Sequence, residues 1–531
     1  LRGTLYSRIK TTPPLVPSSA LVTICSNPEQ GICSSLMAPP SCPLRFLSLL
    51  LSTILLSAAE PPPLLLLPLT HVLSRTHNTT TTPTHHLHLL KSAALQSAAR
   101  ARHGRRWQPH QVSLPLSPGS DYTLSFSVGS RDPHTVELYM DTGSDLVWFP
   151  CAPFECILCE GKPSYPPPKG SIPFPTASRV PCHSPSCSAA HSSLPSSDLC
   201  AVAGCPLEII ETSTCSAFPC PAFYYAYGDG SLVARLHRDH LAIPAGVADA
   251  LQLPNFTFGC GHTALAQPVG VAGFGRGVLS LPGQLARVSP HLGRQFSYCL
   301  VSHSFEAGRL HRPSPLILGR TGSSHEPFFA YTPLLHNPKH PYLYTVGLEA
   351  VSVGGRRIPA SPQLRRVDRQ GNGGVVVDSG TTFTMLPAAL YARIAEEFDR
   401  KMAGSGRERA PDTEAETGLG PCYHEGGGGG NRGLLGVPAV VLHLGGNATV
   451  ALPRRNYYLR FSGGGEKKVG CLMLMSGGEE EEEGPAATLG NFQQQGFEVV
   501  YDLDGRRMGF ARRRCAALWE SLSSSSSPSR G

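Results

Sequence analysis

Two short stretches carry residue types that could do chemistry together. Residues 136–144 read V-E-L-Y-M-D-T-G-S, and residues 374–382 read G-V-V-V-D-S-G-T-T. In each, an apolar strand runs into an Asp (Asp141, Asp378), then a small hydroxyl residue (Thr142, Ser379), a Gly (Gly143, Gly380) and a second hydroxyl residue (Ser144, Thr381). An ionised carboxylate at the end of a buried strand is costly unless hydrogen bonds or a partner hold it. Taken singly, either stretch reads as a turn, because Asp, Gly and Ser are ordinary turn residues. Taken together they are the only two Asp-[Thr/Ser]-Gly triplets in the chain, and their surroundings repeat as well. G-V-A-G-F-G (270–275) follows the first and A-T-L-G-N-F (487–492) follows the second, while F-S-V-G (126–129) and Y-T-V-G (344–347) precede them.

A lone turn does not predict a duplicated order. Two similar halves that each offer one Asp do predict a site on a pseudo-twofold axis, in a cleft between lobes. Two carboxylates held that close cannot both ionise easily, so they share a proton and titrate as a pair. Such a pair can hold a water molecule, one carboxylate taking its proton while the other protonates a substrate carbonyl. The glycines let backbone approach the carboxyl oxygens. Thr142 and Ser379 are placed to reach across the axis, and Ser144 and Thr381 to donate to the outer carboxyl oxygens.

The elements that must position these turns are strands. Gly (55) and Pro (50) are abundant in 531 residues, which favours short strands and turns over long helices. Runs such as YTLSFSVGS, NFTFGC, LYTVGLEAVSVGG and FEVVYDLDGRRMGFA alternate β-favouring residues between Gly or Asp-Gly punctuation. One helix stands out, over 386–404. The expected fold class is all-β dominated, in two lobes.

The front end reads as a leader. A start at Met37 gives a signal-peptide pattern over 37–59, with 1–36 an upstream extension. Residues 60–111 form a basic prosegment: no Asp or Glu occurs between Pro61 and Ser120, and one stretch, HLLKSAALQSAARARHGRR, looks helical. The formal charge of +7 is concentrated there, and no aromatic-basic pattern supports nucleic-acid binding. The N-terminal lobe is expected over 112–310, the C-terminal lobe over 311–515, and a disordered Ser-rich tail over 516–531. Five consecutive Gly (426–430) and five consecutive Glu (479–483) read as solvated loops. No stretch after the signal is suited to crossing a membrane. The expected location is the secretory pathway, leading to the cell wall space or the vacuole.

Fourteen of the seventeen cysteines lie between Cys151 and Cys515, an even number that suits a disulfide framework in an oxidising compartment. Nine crowd together: Cys151, Cys156, Cys159, Cys182, Cys187, Cys200, Cys205, Cys215 and Cys220. Part of that spacing also resembles a zinc site. The ligand spacing does not repeat, so disulfides are favoured and neither metal nor cofactor is expected. Asn255-Phe-Thr and Asn447-Ala-Thr are acceptor sequences for N-glycans.

The pieces DTGSDLVW, YAYGDGS, GVAGFGRG, FSYCL, DSGTT and LGNFQQQGFEVVYD resemble the pepsin-like aspartic endopeptidases, and more closely the plant nepenthesin-like branch. The resemblance covers roughly 112–515. This family is the reference case for the shared proton of two close carboxylates. It implies a bilobal pepsin-like fold, a catalytic pair at Asp141 and Asp378, peptide-bond hydrolysis at acidic pH and inhibition by pepstatin-type compounds. It implies a flap at Tyr227 and Gly228 with Trp148 as the tyrosine's partner, a Cys-rich insertion over 151–220, and the pairs Cys299–Cys515 and Cys422–Cys471. Cys260 joins the framework with its partner left open. The expected partners are protein or peptide substrates and the chain's own prosegment, with a monomeric enzyme. The alternative is a catalytically inactive homologue acting as a binding or inhibitor protein. Retention of both motifs favours the enzyme.

Overall fold

The computed structural model describes residues 64–75, 83–103, 122–159, 177–191, 196–213, 215–226, 230–245, 248–265, 269–305, 312–320, 329–425, 436–462, 468–478 and 484–525. The signal-peptide reading, the two low-complexity loops, Tyr227 and Gly228 fall outside them.

The stretch before residue 112 contributes a strand and an α-helix among the described residues. Strand β1 (Leu65–His71) buries Leu65, Leu67 and Leu69 on one face, the period-2 alternation of a half-buried strand. It carries Pro68, which suits an edge position because proline cannot donate to a ladder. Helix α1 (Pro83–His103) buries Leu87, Leu89, Leu90, Ala93 and Ala94. These side chains pack with Phe305 and, from the C-terminal half, with Phe383, Met385, Leu459, Phe461 and Phe492. Fully burying a leucine is worth about 1.5–3 kcal/mol, so the three leucines dominate the docking of this helix.

The N-terminal half follows. Strands β2 (Tyr122–Val128) and β3 (His134–Asp141) form an antiparallel pair that inserts Val136, Leu138 and Met140 into the core. Strand β4 (Trp148–Ile157) leads into the Cys-rich insertion, with helices α2 (Pro185–Ala190), α3 (Ser196–Val202) and α4 (Leu207–Thr212). Strands β5 (Phe223–Ala226), β6 (Ser231–Ala245) and β7 (Ala248–Leu265) continue the sheet, and the short β8 (Val271–Gly273) runs parallel beside β3.

Both halves meet in a six-stranded antiparallel layer. From one edge it runs β1, Ser314–Leu318, Gln295–Cys299, Phe497–Asp502, Arg507–Arg512 and Ala330–Leu335. Its core side stacks Phe296 on Tyr501 at 4.5 Å, with Tyr344 edge-on to Tyr501 at 4.5 Å. The C-terminal half repeats the parallel arrangement: β9 (Val375–Val377) lies beside β10 (Ala487–Leu489) as β3 lies beside β8. Helix α5 (Ala388–Ala403) matches the helix read from sequence and buries Leu390, Ile394, Phe398 and Met402 at helical spacing. The expected disordered tail is corrected in part. Cys515–Ser525 is helical because Cys515 is tied to Cys299 and Leu518 and Trp519 are half-buried.

The disulfide pairs Cys299–Cys515 and Cys422–Cys471 are present. Cys260 pairs with Cys151, and the insertion is further closed by Cys156–Cys159, Cys182–Cys215 and Cys187–Cys220. Cys200 and Cys205 depart from the expected framework: both are buried thiols rather than bridge members. Four of the insertion's other cysteines pair off across 33 residues each and leave these two facing each other. Asn255 and Asn447 are exposed, each with positive φ; Asn447 ends the hairpin turn between Val440–Leu444 and Ala448–Ala451.

Candidate active site

The two Asp turns face each other at the C-terminal ends of β3 and β9. Thr142 and Ser379 lock them together across the axis. Thr142 N–H donates to Ser379 Oγ at 3.0 Å, and Ser379 N–H donates to Thr142 Oγ1 at 2.9 Å. Each hydroxyl then donates onward to the opposite strand, Thr142 to Val377 O and Ser379 to Met140 O, both at 3.1 Å. All four groups are buried, so losing one hydroxyl would strand an amide at about 1–3 kcal/mol.

The glycines are needed for close approach. A methyl group on Gly143 would sit 2.7 Å from the carboxyl carbon of Asp378, and one on Gly380 would sit 2.6 Å from that of Asp141. Each glycine also donates its N–H to the Asp of its own turn, at 2.9 Å to Asp141 and 2.8 Å to Asp378. Asp141 is 2% exposed and Asp378 5%, and the protonation of each depends on the other.

Their surroundings differ. Arg100, near the end of α1, donates to Asp141 Oδ2 at 2.9 Å and lies 3.6 Å from Asp378 Oδ2. Burial pushes Asp141 up, but the charge and hydrogen bond of Arg100 outweigh it and hold the group below its ordinary 3.8. Asp378 goes the other way, to about 6: burial raises it, the weaker pull of Arg100 opposes, and the charge of Asp141 adds to the rise. Thr381 Oγ1 donates to Asp378 Oδ2 at 2.5 Å, as expected of it. The Ser144 hydroxyl is buried beside Asp141 and helps to hold it down, while Arg100 takes the outer oxygen Oδ2.

Trp148 is fully buried at the start of β4, with Gly259 and Gly261 of β7 leaving room for its ring. Two residues near the pair carry roles that the motifs did not reveal. Arg100 read as one of several basic residues in an acid-free segment, and the gap in sequence to Asp141 hid which of them meets the pair. Asp145 accepts N–H bonds from Gly277 at 2.6 Å and Leu279 at 3.3 Å, joining the first turn to the loop after β8. Burial pushes it up to about 6. Its signal was the fifth residue of DTGSD, read only as part of the motif.

Comparison with known proteins is informative at this point. A sequence profile described as the N-terminal part of a xylanase inhibitor matches residues 122–319, and its C-terminal counterpart matches 343–512. A probable aspartyl protease of Arabidopsis thaliana is 55% identical over 440 residues, covering 77% of this chain and 85% of that protein. The chain belongs to the nepenthesin-like plant aspartic proteases. It is an aspartic-type peptide hydrolase of that family, with peptides as substrates. Aspartic proteinase nepenthesin-2 of Nepenthes gracilis is 28% identical, over 76% of this chain and 81% of its own. The crystal structures of edgp and of basic 7S globulin from soybean align with TM-scores of 0.56 and 0.55 at 17% and 18% identity. They cover 87% and 86% of this chain and 97% and 99% of their own, a likeness of fold. Among the described residues, no helix is long and apolar enough to cross a membrane.

Proposed function

We propose that Asp141 and Asp378 are the catalytic pair of an acid-acting endopeptidase made as a zymogen. The observation that carries this is the shared grip that holds two buried carboxyls against each other. Two carboxyls this close share one proton once the leader has gone, so one is ionised while the other is protonated. Asp141 would take a proton from an attacking water, and Asp378 would give one to the carbonyl oxygen of the scissile peptide. Thr381 and the two glycine amides hold the carboxyls in plane. Tyr227 and Gly228 would close over the substrate as a flap, with Trp148 as the tyrosine's support.

In the full chain, α1 places Arg100 on the pair, where a substrate and its water would have to sit. The leader is held by more than this ion pair. A charge-assisted hydrogen bond contributes about 1.5–3 kcal/mol, less than the apolar face of α1. Acid must therefore weaken something else as well. His71 of β1 packs against His303, the rings tilted by 49° with centroids 4.2 Å apart, beside Tyr122, Phe305 and Phe492; His71 is buried, and His303 is half-buried with its Nε2 shut off from solvent. Burial pushes His303 down to about 3. A histidine depressed this way favours the docked state above about 6.5, and that support is lost as pH falls from there towards 3. Acid thus loosens β1 while protonating the carboxylates that attract Arg100, and cleavage near residue 110 would free the cleft.

A second reading keeps some ground. The matching profiles carry inhibitor names, which suits a binding protein on the same fold. The intact grip and pair favour the enzyme. Passage through the secretory pathway to the cell wall space or vacuole, glycans on the exposed Asn255 and Asn447, sensitivity to pepstatin and a monomeric state complete the proposal. The test is cleavage of an unfolded protein with and without pepstatin, using material freed of residues 60–111. Folded, leader-free protein that cleaves nothing at any pH would favour the binding reading.

A further inference from the structure

The Cys-rich insertion holds two thiols that no bridge uses. Cys200 ends in the core of the insertion, fully buried, and Cys205 is 8% exposed. Their backbones are tied: Cys205 N–H donates to Cys200 O at 3.1 Å, which holds the two residues side by side with their thiols in contact. The reversal between them turns at Gly204, whose φ of +76° is strained for other residues and whose Cβ position is open space. Burial, and then the contacting Cys200 thiol, push the Cys205 thiol above its ordinary value. A third feature distinguishes this pair from two buried cysteines at random. The Cys200 sulfur lies within 4.8 Å of both sulfurs of the Cys182–Cys215 bridge.

We propose that Cys200 and Cys205 are an oxidisable dithiol that closes into a seventh disulfide, with a small or protein disulfide as the electron acceptor. The Cys205 thiolate attacks one sulfur of the acceptor and expels the first thiolate. Cys200 then loses its proton and attacks Cys205 Sγ, expelling the second. Two thiols are oxidised and one acceptor disulfide is reduced to two thiols. The new bond closes only a four-residue loop between α3 and α4. Its effect is local: it fixes the turn that carries the exposed Val202 and Leu207, which are 58% and 66% exposed. It also removes the Cys200 thiol, which is placed to attack Cys182 or Cys215, and so protects that bridge from exchange.

The test uses the full-length protein, oxidised glutathione as acceptor, alkylation in denaturant and peptide mapping without reduction. The expected result is loss of exactly these two alkylation sites, with the other six bridges unchanged. Oxidation should run about tenfold faster at pH 8 than at pH 7, as the thiolate fraction rises. Cys205→Ser should stay folded with six bridges, and its Cys200 should attack the neighbouring bridge, giving Cys200–Cys182 or Cys200–Cys215 species. Cys200 and Cys205 that stay alkylatable after oxidation would overturn the proposal. So would a wild-type Cys200 bonded to Cys182 or Cys215, or protection of the thiols by added zinc that a chelator reverses.

Discussion

The two Asp turns are alike in backbone and unlike in charge. Each ends a strand that runs beside a short parallel partner, each donates a glycine amide to its own carboxyl, and each grips the other through one hydroxyl. Around the first lie Arg100 and Asp145; around the second, Thr381. Arg100 holds the first carboxyl below 3.8, while burial and the charge of Asp141 raise the second to about 6 against the pull of Arg100 and Thr381. The repeated residues set position, and Arg100, seated closer to Asp141, sets the difference in protonation. Acid–base chemistry needs the position first, because two carboxyls this close share one proton even when equivalent, and one then donates while the other accepts.

The largest effect should come from breaking the pair itself. Asp141→Asn or Asp378→Asn should each lower kcat by about 10²–10⁴-fold with little change in thermal midpoint, read by steady-state cleavage of an unfolded protein. Next comes the grip. Thr142→Ala and Ser379→Ala should destabilise by about 1–3 kcal/mol each, and by similar amounts because the two hydroxyls do the same work. A melt in which only one of them matters would break the symmetry of the comparison.

The grip and the pair were legible in the sequence because local motifs repeat: D-T-G-S and D-S-G-T name their own partners. The helix over Ala388–Ala403 was legible from its spacing and its Pro and Gly ends. What the sequence hid was non-local. Leu65–His71 follows directly on an apolar run and carries Pro68, so it read as leader; its strand pairing depends on Ser314–Leu318, far along the chain. Arg100 read as one more basic residue in an acid-free segment. The Cys151–Cys260 bridge spans 109 residues and carried no spacing signal. Cys200 and Cys205 were counted into an even framework, which the count alone could not partition.

The asymmetry can be sharpened by smaller changes. Arg100→Gln in the full-length chain should raise activity of the unprocessed protein near pH 6 by about tenfold, the loss of one charge-assisted bond. It should also let Asp141 rise, narrowing its gap from Asp378. His303→Leu should move self-processing to lower pH by roughly one unit, since one group that resists acid in the docked state is gone. Processing unchanged in midpoint would leave carboxylate protonation as the sole trigger. The smallest expected effect is Asp145→Asn. A carboxyl raised from 3.8 to about 6 supports the fold below 3.8 and loses that support as pH rises towards 6. The asparagine variant should therefore lose stability less steeply between about pH 4 and pH 6, read as thermal midpoint against pH.

The most direct measurement is cleavage of an unfolded protein from about pH 3 to pH 7 by three forms: full-length, freed of residues 60–111, and freed with Asp141→Asn. The freed form should cleave best in acid and be blocked by pepstatin. The full-length form should lag until it is processed, and the Asp141→Asn form should be inactive though folded. Equal cleavage by the Asp141→Asn form, or none by a folded and freed wild type, would contradict the proposed catalytic pair.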